Sequence, residues 1–505
     1  MSETQEEINR RLLDTRHLAD GLKGRTVRGG LVNMLAQIVS MVLQVGSLAI
    51  LARLLTPADY GLLAMATTAT VFAAIFTNLG LTTPTVQRST ITHEQVCTLF
   101  YINLAGGGVI FLLSCAAAPL FAFVFHDSRV ITIIILLSLA IPLGAAGAQF
   151  NAILIRNMRW VTVQAINIGS QLMGIITAII LAWQFSFGVW ALVAQQLVAA
   201  VLMLLLNFTL CAWRPSRHFD LSQVRSELAM GMDIALFSLF NYVHRQFDNI
   251  IIGSRWGAIE LGIYSRAYNL LWQLNMVATG PATSAVVPSL SRLAEDRARW
   301  KRHFMFTATA VAAGAGALFA VVFGTSTEVV ALLFGNKWAA VTPMLNWLLV
   351  AGMVTAVHGP FSWNFVTFGR TRLQFYWSLF TAPVLFVAYW IGAYWGGLGV
   401  AMAYAIVMIT INPIYLLMSV RCASVTLREG FSIILPAYLA FVATVLVKPQ
   451  LSGIHVYGIF GTIIVKFLIY SIVIAAIYLL SSFILESYKD LRRLIISEVR
   501  NFLVR

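Results

Sequence analysis

The residues best equipped for chemistry lie in one apolar stretch, GMDIALFSLFNYVHRQFDNIIIGSRWGAIELGIYSRAYNL, residues 231–270. Within it Asn241, His244, Arg245 and Asp248 recur at the three-and-four spacing that stacks side chains on one helix face. A stripe of this kind can bind an anion: a guanidinium grips phosphate oxygens in pairs, and neighbouring polar groups add hydrogen bonds. A charge at bilayer depth costs at least roughly 2.5 to 3.5 kcal/mol, so the stripe is predicted to face partner helices or a wet cavity rather than lipid. Two readings stand. Arg245 and Asp248, three apart, neutralise each other as a structural clip, or the stripe meets a substrate.

The elements that position these residues follow from composition. Of 505 residues, 59% are hydrophobic and 11% charged, against roughly 25% charged in an ordinary soluble domain. Apolar runs recur over nearly the whole length, which predicts an all-α polytopic membrane protein of about 14 spans and excludes a barrel of short alternating strands. The net charge of +14 needs no nucleic-acid partner. Arginines and lysines cluster in alternate connections, among them Arg25 and Arg28, Arg156 and Arg159, Arg214 and Arg217, Arg297 to Arg302, and the tail from Lys489. By the positive-inside rule those loops and both termini are cytoplasmic. Cys97, Cys115, Cys211 and Cys422 show no paired spacing, so neither a disulfide framework nor a metal site is expected. The first 25 residues lack the apolar core of a cleavable signal peptide; Leu12, Leu13, Leu18 and Leu22 suit an interfacial helix or a solvated tail.

Taken in order, the chain reads as a cytoplasmic tail (1–29), an N-lobe of six helices (30–212), a basic cytoplasmic linker (213–230), a C-lobe of six helices (231–421), helices thirteen and fourteen (422–482) and a basic cytoplasmic tail (483–505). The first helix carries a second polar stripe, Asn33, Gln37, Ser40, Gln44 and Ser47, and the fifth a third, Gln164, Asn167 and Gln171. Uncharged amides of this kind either line a cavity or bond neighbouring helices. Arg53, Tyr60-Gly61 and Pro84 to Arg88 reappear in the second half as Arg255, Leu261-Gly262 and Pro288 to Arg292. Several such matches in the same order indicate parallel, pseudo-symmetric repeats. Gly280-Pro281 and His358-Gly-Pro360 are expected to interrupt their helices. Lys466 lies about 15 Å into the last span, where it must pair with a carboxylate or face water.

LARLLTPADYGLLAMA (51–66), GLTTPTVQRSTIT (80–92) with TLFYINL (98–104), DNIIIGSRWGAIELGIYSRAYNL (248–270) and LLFGNKW (332–338) together resemble the bacterial polysaccharide transporter family. That family, which includes exporters of colanic acid, succinoglycan and O-antigen units, belongs to the superfamily of multidrug, oligosaccharidyl-lipid and polysaccharide exporters. The resemblance covers nearly all of residues 30–482. It implies two six-helix lobes with two added C-terminal helices, alternating access, and a location in the bacterial inner membrane. The implied cargo is a short oligosaccharide on undecaprenyl pyrophosphate, carried for exopolysaccharide, capsule or O-antigen assembly. A polysaccharide polymerase and chain-length co-polymerases are the implied partners, beside membrane lipids. Family members tend to line their cavity with cations, which Arg245, Lys466 and Arg266 could supply here. Alternatives within the same architecture are an ion-coupled multidrug exporter and a peptidoglycan lipid-precursor flippase. No paired acidic motif and no loop large enough for a conventional catalytic domain are present, so neither enzymatic activity nor a cofactor is expected.

Overall fold

The computed structural model describes residues 4–14, 22–77, 81–88, 90–217, 219–220, 225–423, 425–454, 458–485 and 487–489; for residues 10, 22–23, 71–77 and 225–245 it describes the backbone alone. No β-strand occurs among them. The described residues divide into two compact units, Met1–Gly262 and Ile263–Arg505.

The first unit begins with a short helix α1 (Gln5–Leu13), followed by α2 (Leu22–Leu54), α3 (Pro57–Thr77), the short α4 (Thr82–Gln87), α5 (His93–Phe125), α6 (Arg129–Ser138), α7 (Ala140–Arg156), α8 (Trp160–Gln184) and α9 (Val189–Leu210). Helix α10 (Arg225–Arg292) then runs from the first unit into the second. The second unit continues with α11 (Arg297–Gly324), α12 (Ser326–Phe334), α13 (Val341–His358), α14 (Ser362–Thr367), α15 (Thr371–Gly392), α16 (Gly396–Cys422), α17 (Leu427–Val447) and α18 (Gly458–Ile484). Counting α6 with α7 and α13 with α14 as continuous passes, and the two arms of α10 separately, the described residues hold 14 long helices. Ten segments of the described residues meet the length and hydropathy of a membrane span, and one of these, Thr371–Cys422, contains both α15 and α16.

The outer surface has the character of a bilayer face. Leu112, Phe123, Phe460 and Ile484 are 66, 76, 68 and 77% exposed, and surfaces so rich in large apolar side chains need lipid rather than water around them. Helix α5, with 33 residues, is about 50 Å long and outreaches the roughly 30 Å hydrocarbon core. Its extra length comes from a polar start: Thr92 accepts from the Gln95 backbone N–H at 3.2 Å, and Gln95 Oε1 accepts from the Thr92 backbone N–H at 3.1 Å. That reciprocal capping starts the helix at His93, ahead of the apolar run beginning near Thr98 that hydropathy alone marks. Thr426 and Glu429 form the same box at the start of α17.

Two interruptions expected from the sequence resolve differently. Helix α10 passes through Pro281 and Pro288, and its non-helical residue is instead Gly257, at φ 76° and ψ −170°, a backbone state that glycine enters without a side-chain penalty. His358-Gly-Pro360 does break its pass. A short 3-10 turn, Gly359–Phe361, joins α13 to α14 there, and the buried His358 bonds through Nδ1 to the Val354 carbonyl at 2.8 Å.

The bend at Gly257 brings the two repeated motifs face to face within the first unit. A Cβ on Gly61 would overlap the Ala258 carbonyl oxygen, and one on Gly262 would overlap the carbonyl oxygen of Pro57. Each glycine therefore opposes the residue four positions before the other, so the contact is reciprocal. The backbones meet this closely because neither crossing point carries a side chain. Gly61→Ala and Gly262→Ala should each destabilise the detergent-solubilised protein by roughly 1 to 3 kcal/mol, as overpacking does, and the two losses should not add because they share one contact. Gly46→Ala is the control, since nothing lies within 4 Å of the point its Cβ would occupy. Melting curves for all three variants check this; equal Tm values would remove the crossing from the account.

Candidate functional site

Asn241, His244, Arg245 and Asp248 all fall within α10. The side chains of Asn241, His244 and Arg245 lie outside the described residues. Asp248 is 2% exposed, and its Oδ1 accepts from the Asn249 backbone N–H at 2.8 Å. Gln246 Oε1 accepts from Asn249 Nδ2 at 2.6 Å one turn away. A buried carboxylate survives in such a helix only where its surroundings supply compensating bonds or charge. One turn further on, the backbone at Gly253 packs against the Phe125 ring. Arg266, half-buried on the later arm of α10, belongs to the second unit and neighbours the stacked rings of Tyr264 and Tyr268, whose centroids are 6.0 Å apart.

The stripes of α2 and α8 meet. Gln164 Nε2 donates to Asn33 Oδ1 at 2.8 Å, and Gln171 Nε2 reaches the Ser40 carbonyl at 3.4 Å. On one flank of α2, Asn33 and Ser40, seven residues apart, meet α8 and serve packing, and Ser47, seven further on, is buried. Gln37 and Gln44, spaced by the same seven, stand beside that flank and are exposed. The seven-residue step thus separates two roles that a single polar stripe had merged: one row bonds the neighbouring helix, the other leaves its amides open to a ligand or to water.

Lys466 is buried in the second unit. Its Nζ sits 2.5 Å from Glu328 Oε1, with side chains 5 and 13% exposed. Beside the pair, Lys448 Nζ donates to the Phe323 carbonyl at 2.8 Å, Ser326 Oγ at 2.9 Å and Asn346 Oδ1 at 3.1 Å, and lies 4.2 Å from the Phe323 ring centroid. This cluster ties α11, α12, α13 and α18 to Lys448, the residue that caps the end of α17. Glu328 stands in the short α12, outside any long apolar pattern, so the spacing of α18 gave no sign of it.

A second polar cluster went unnoticed in the sequence. Arg156, one of the basic loop residues by its position, is buried, with Nε donating to the Leu13 carbonyl at 3.1 Å and Nη1 to the carbonyls of Thr85 at 2.9 Å and Arg88 at 2.7 Å. Asn9 is buried too, donating to the Arg214 carbonyl at 3.0 Å and accepting from its N–H at 3.1 Å. Helix α1 is thereby fastened to the start of the central linker. Trp213 of that linker is fully buried, 5.3 Å from the Phe150 ring, and its indole N–H donates to His93 Nδ1 at 3.1 Å. Of the four leucines that suggested an interfacial helix or a solvated tail, Leu12 and Leu13 of α1 pack against this protein core, while Leu18 and the Leu22 side chain lie outside the described residues.

Removing one partner of the Lys466–Glu328 pair should destabilise the fold by roughly 3 to 5 kcal/mol, the usual loss for an orphaned buried charge. Lys466→Met and Glu328→Gln are therefore expected to lower Tm singly, and the double variant should recover most of the loss. Double-mutant Tm values measured in detergent check this, and additive losses would show that the pair is not coupled.

A family model described as polysaccharide biosynthesis protein matches residues 50–343. The chain is 24% identical over 423 residues to the lipopolysaccharide biosynthesis protein WzxC of Escherichia coli K12, covering 83% of this chain and 86% of that one. It is 26% identical over 356 residues to the succinoglycan biosynthesis transport protein ExoT of Rhizobium meliloti, covering 70% and 72%. Its fold matches the lipid II flippase MurJ in an inward closed conformation with a TM-score of 0.69 at 15% identity, over 91% of this chain and 99% of that one. With more than half of its length matched by the family model, the chain belongs to the polysaccharide biosynthesis protein family.

Proposed function

We propose that this protein is a flippase that carries a lipid-linked oligosaccharide across the membrane for surface polysaccharide assembly. The observation that supports this most is the pairing of family with architecture: a member of a polysaccharide biosynthesis family whose described residues are almost entirely long apolar helices. Such a chain is built to act on cargo within or across the bilayer, and relatives named for transport point the same way. The cargo's physical problem suits the residues. A lipid-linked sugar phosphate must pass hydrocarbon with its charge solvated, which calls for cations and amide donors on otherwise apolar helices. In this reading Arg245, His244 and Asn241 on α10 and Gln37 and Gln44 on α2 contribute to that path, Arg266 adds a cation, and Lys466 holds the second unit together through Glu328. The carrier is a polyprenyl pyrophosphate, and the motion is alternating access.

Deleting the protein in its host should stop surface-polysaccharide production while lipid-linked repeat units accumulate in the membrane, measured by extraction and glycan analysis. Normal polymer with newly acquired sensitivity to cationic dyes would instead favour a drug exporter, and lysis with accumulated peptidoglycan precursor would favour that substrate.

For Arg245 the expected signature is loss of export without loss of protein. Arg245→Ala with Asp248→Ala removes both charges that a structural clip would need, so a merely structural role would leave abundance and export intact. An anion-binding Arg245 leaves the double variant inactive at normal abundance, and Arg245→Lys, which keeps the charge without the planar fork, only partly active. Full export by a well-expressed double variant would take this stripe out of the substrate path.

A further inference from the structure

At one end of the first unit, a cavity of about 270 Å³ opens between the start of α2 and the turn that joins α7 to α8. Three guanidinium groups line it: Arg25 and Arg28, three apart on α2, and Arg159 at the N-cap of α8. All three are exposed, and none has a side-chain hydrogen bond or ion pair among the described residues. No carboxylate lines the cavity among the described residues. Three like charges gathered without a counter-charge repel one another, and an anion relieves that repulsion.

Three further features narrow the anion. The 25-residue α8 begins at the cavity with no side chain capping its first turn, so its free backbone N–H groups and the positive end of its dipole point into the same space. Trp160 lies against Gly29, where a Cβ would collide with the indole, and so places an amphipathic ring at the level where a span enters the headgroup zone. The apolar wall formed by Val32 and Val161 continues into Leu31 and Leu35, which are 54 and 60% exposed, while Val161 is 58% exposed. The volume suits a headgroup rather than a whole sugar-bearing cargo.

The geometry points to a binding site for the phosphate of a net-anionic membrane phospholipid, held by Arg25, Arg28 and Arg159 with its acyl chain lying along α2 and α8. The phosphate accounts for the arginines and the helix end, and the exposed leucines and valines account for a lipid in preference to free phosphate. This site is independent of the transport reading: it lies within one unit, and its occupant is a component of the surrounding leaflet.

Native mass spectrometry of the full chain purified in detergent tests it, with phosphatidylglycerol, phosphatidylcholine of the same chain length, and inorganic phosphate as probes. Phosphatidylglycerol should give a saturable adduct that phosphatidylcholine does not match and that inorganic phosphate does not displace at equal concentration. Each of Arg25→Gln, Arg28→Gln and Arg159→Gln should weaken that adduct about fivefold, and the triple variant about a hundredfold. Should the triple variant fail to fold, the three single variants carry the test, with Gln171→Ala, outside the cavity, as the unchanged control. Equal binding of the two lipids, displacement by inorganic phosphate, or an undiminished adduct in the arginine variants would overturn the assignment.

Discussion

A peptide N–H or C=O in hydrocarbon can bond only to other protein groups, and each one left unsatisfied costs several kcal/mol. From that constraint follow the long uninterrupted helices, the confinement of irregular backbone to a few points, and the large apolar side chains left facing outward. Where the backbone departs from helix, something local meets the cost. Gly257 supplies the positive φ of the α10 bend, and the 3-10 turn at Gly359–Phe361 is buried against its own unit, with the Phe361 carbonyl accepting from Ser419 Oγ at 2.7 Å.

The same economy governs the polar side chains. Inside the first unit, Gln164 answers Asn33, and Arg156 serves three carbonyls at once. Inside the second, Glu328 answers Lys466, and Lys448 finds three acceptors. These groups are used up in holding helices together. Among the described residues, Gln37 and Gln44 on α2 and the three arginines around the α8 start are by contrast left open to something outside the protein.

The helices were legible in the sequence because hydropathy reports burial in lipid directly; the motif match around Gly61 and Gly262 was legible too, but not that the two glycines meet, because a close backbone crossing leaves no mark on either motif alone. Helix starts were less so: His93 to Cys97 belong to α5 because of a hydrogen-bonded cap, which hydropathy does not register. Gly280-Pro281 misled in α10, where Pro281 sits without breaking the helix and the bend falls at Gly257. Partners distant in sequence were hidden altogether. Nothing near Lys466 announces Glu328, 138 residues earlier, and Asn9 reads as a tail residue until Arg214, 205 positions on, is folded against it. Position in a loop is also a poor guide to exposure, as the buried Arg156 shows.

Reconstitution tests most directly whether this protein moves a lipid-linked sugar across a bilayer. The purified protein would be placed in vesicles together with lipid-linked oligosaccharide extracted from its own host, and a glycan-cleaving enzyme added outside would report which molecules face outward. If the protein is a flippase, glycan initially shielded on the inner leaflet becomes cleavable over time in vesicles that contain it, and stays shielded in protein-free vesicles. A shielded fraction that persists beside folded, monodisperse protein, with and without an imposed ion gradient, would contradict it.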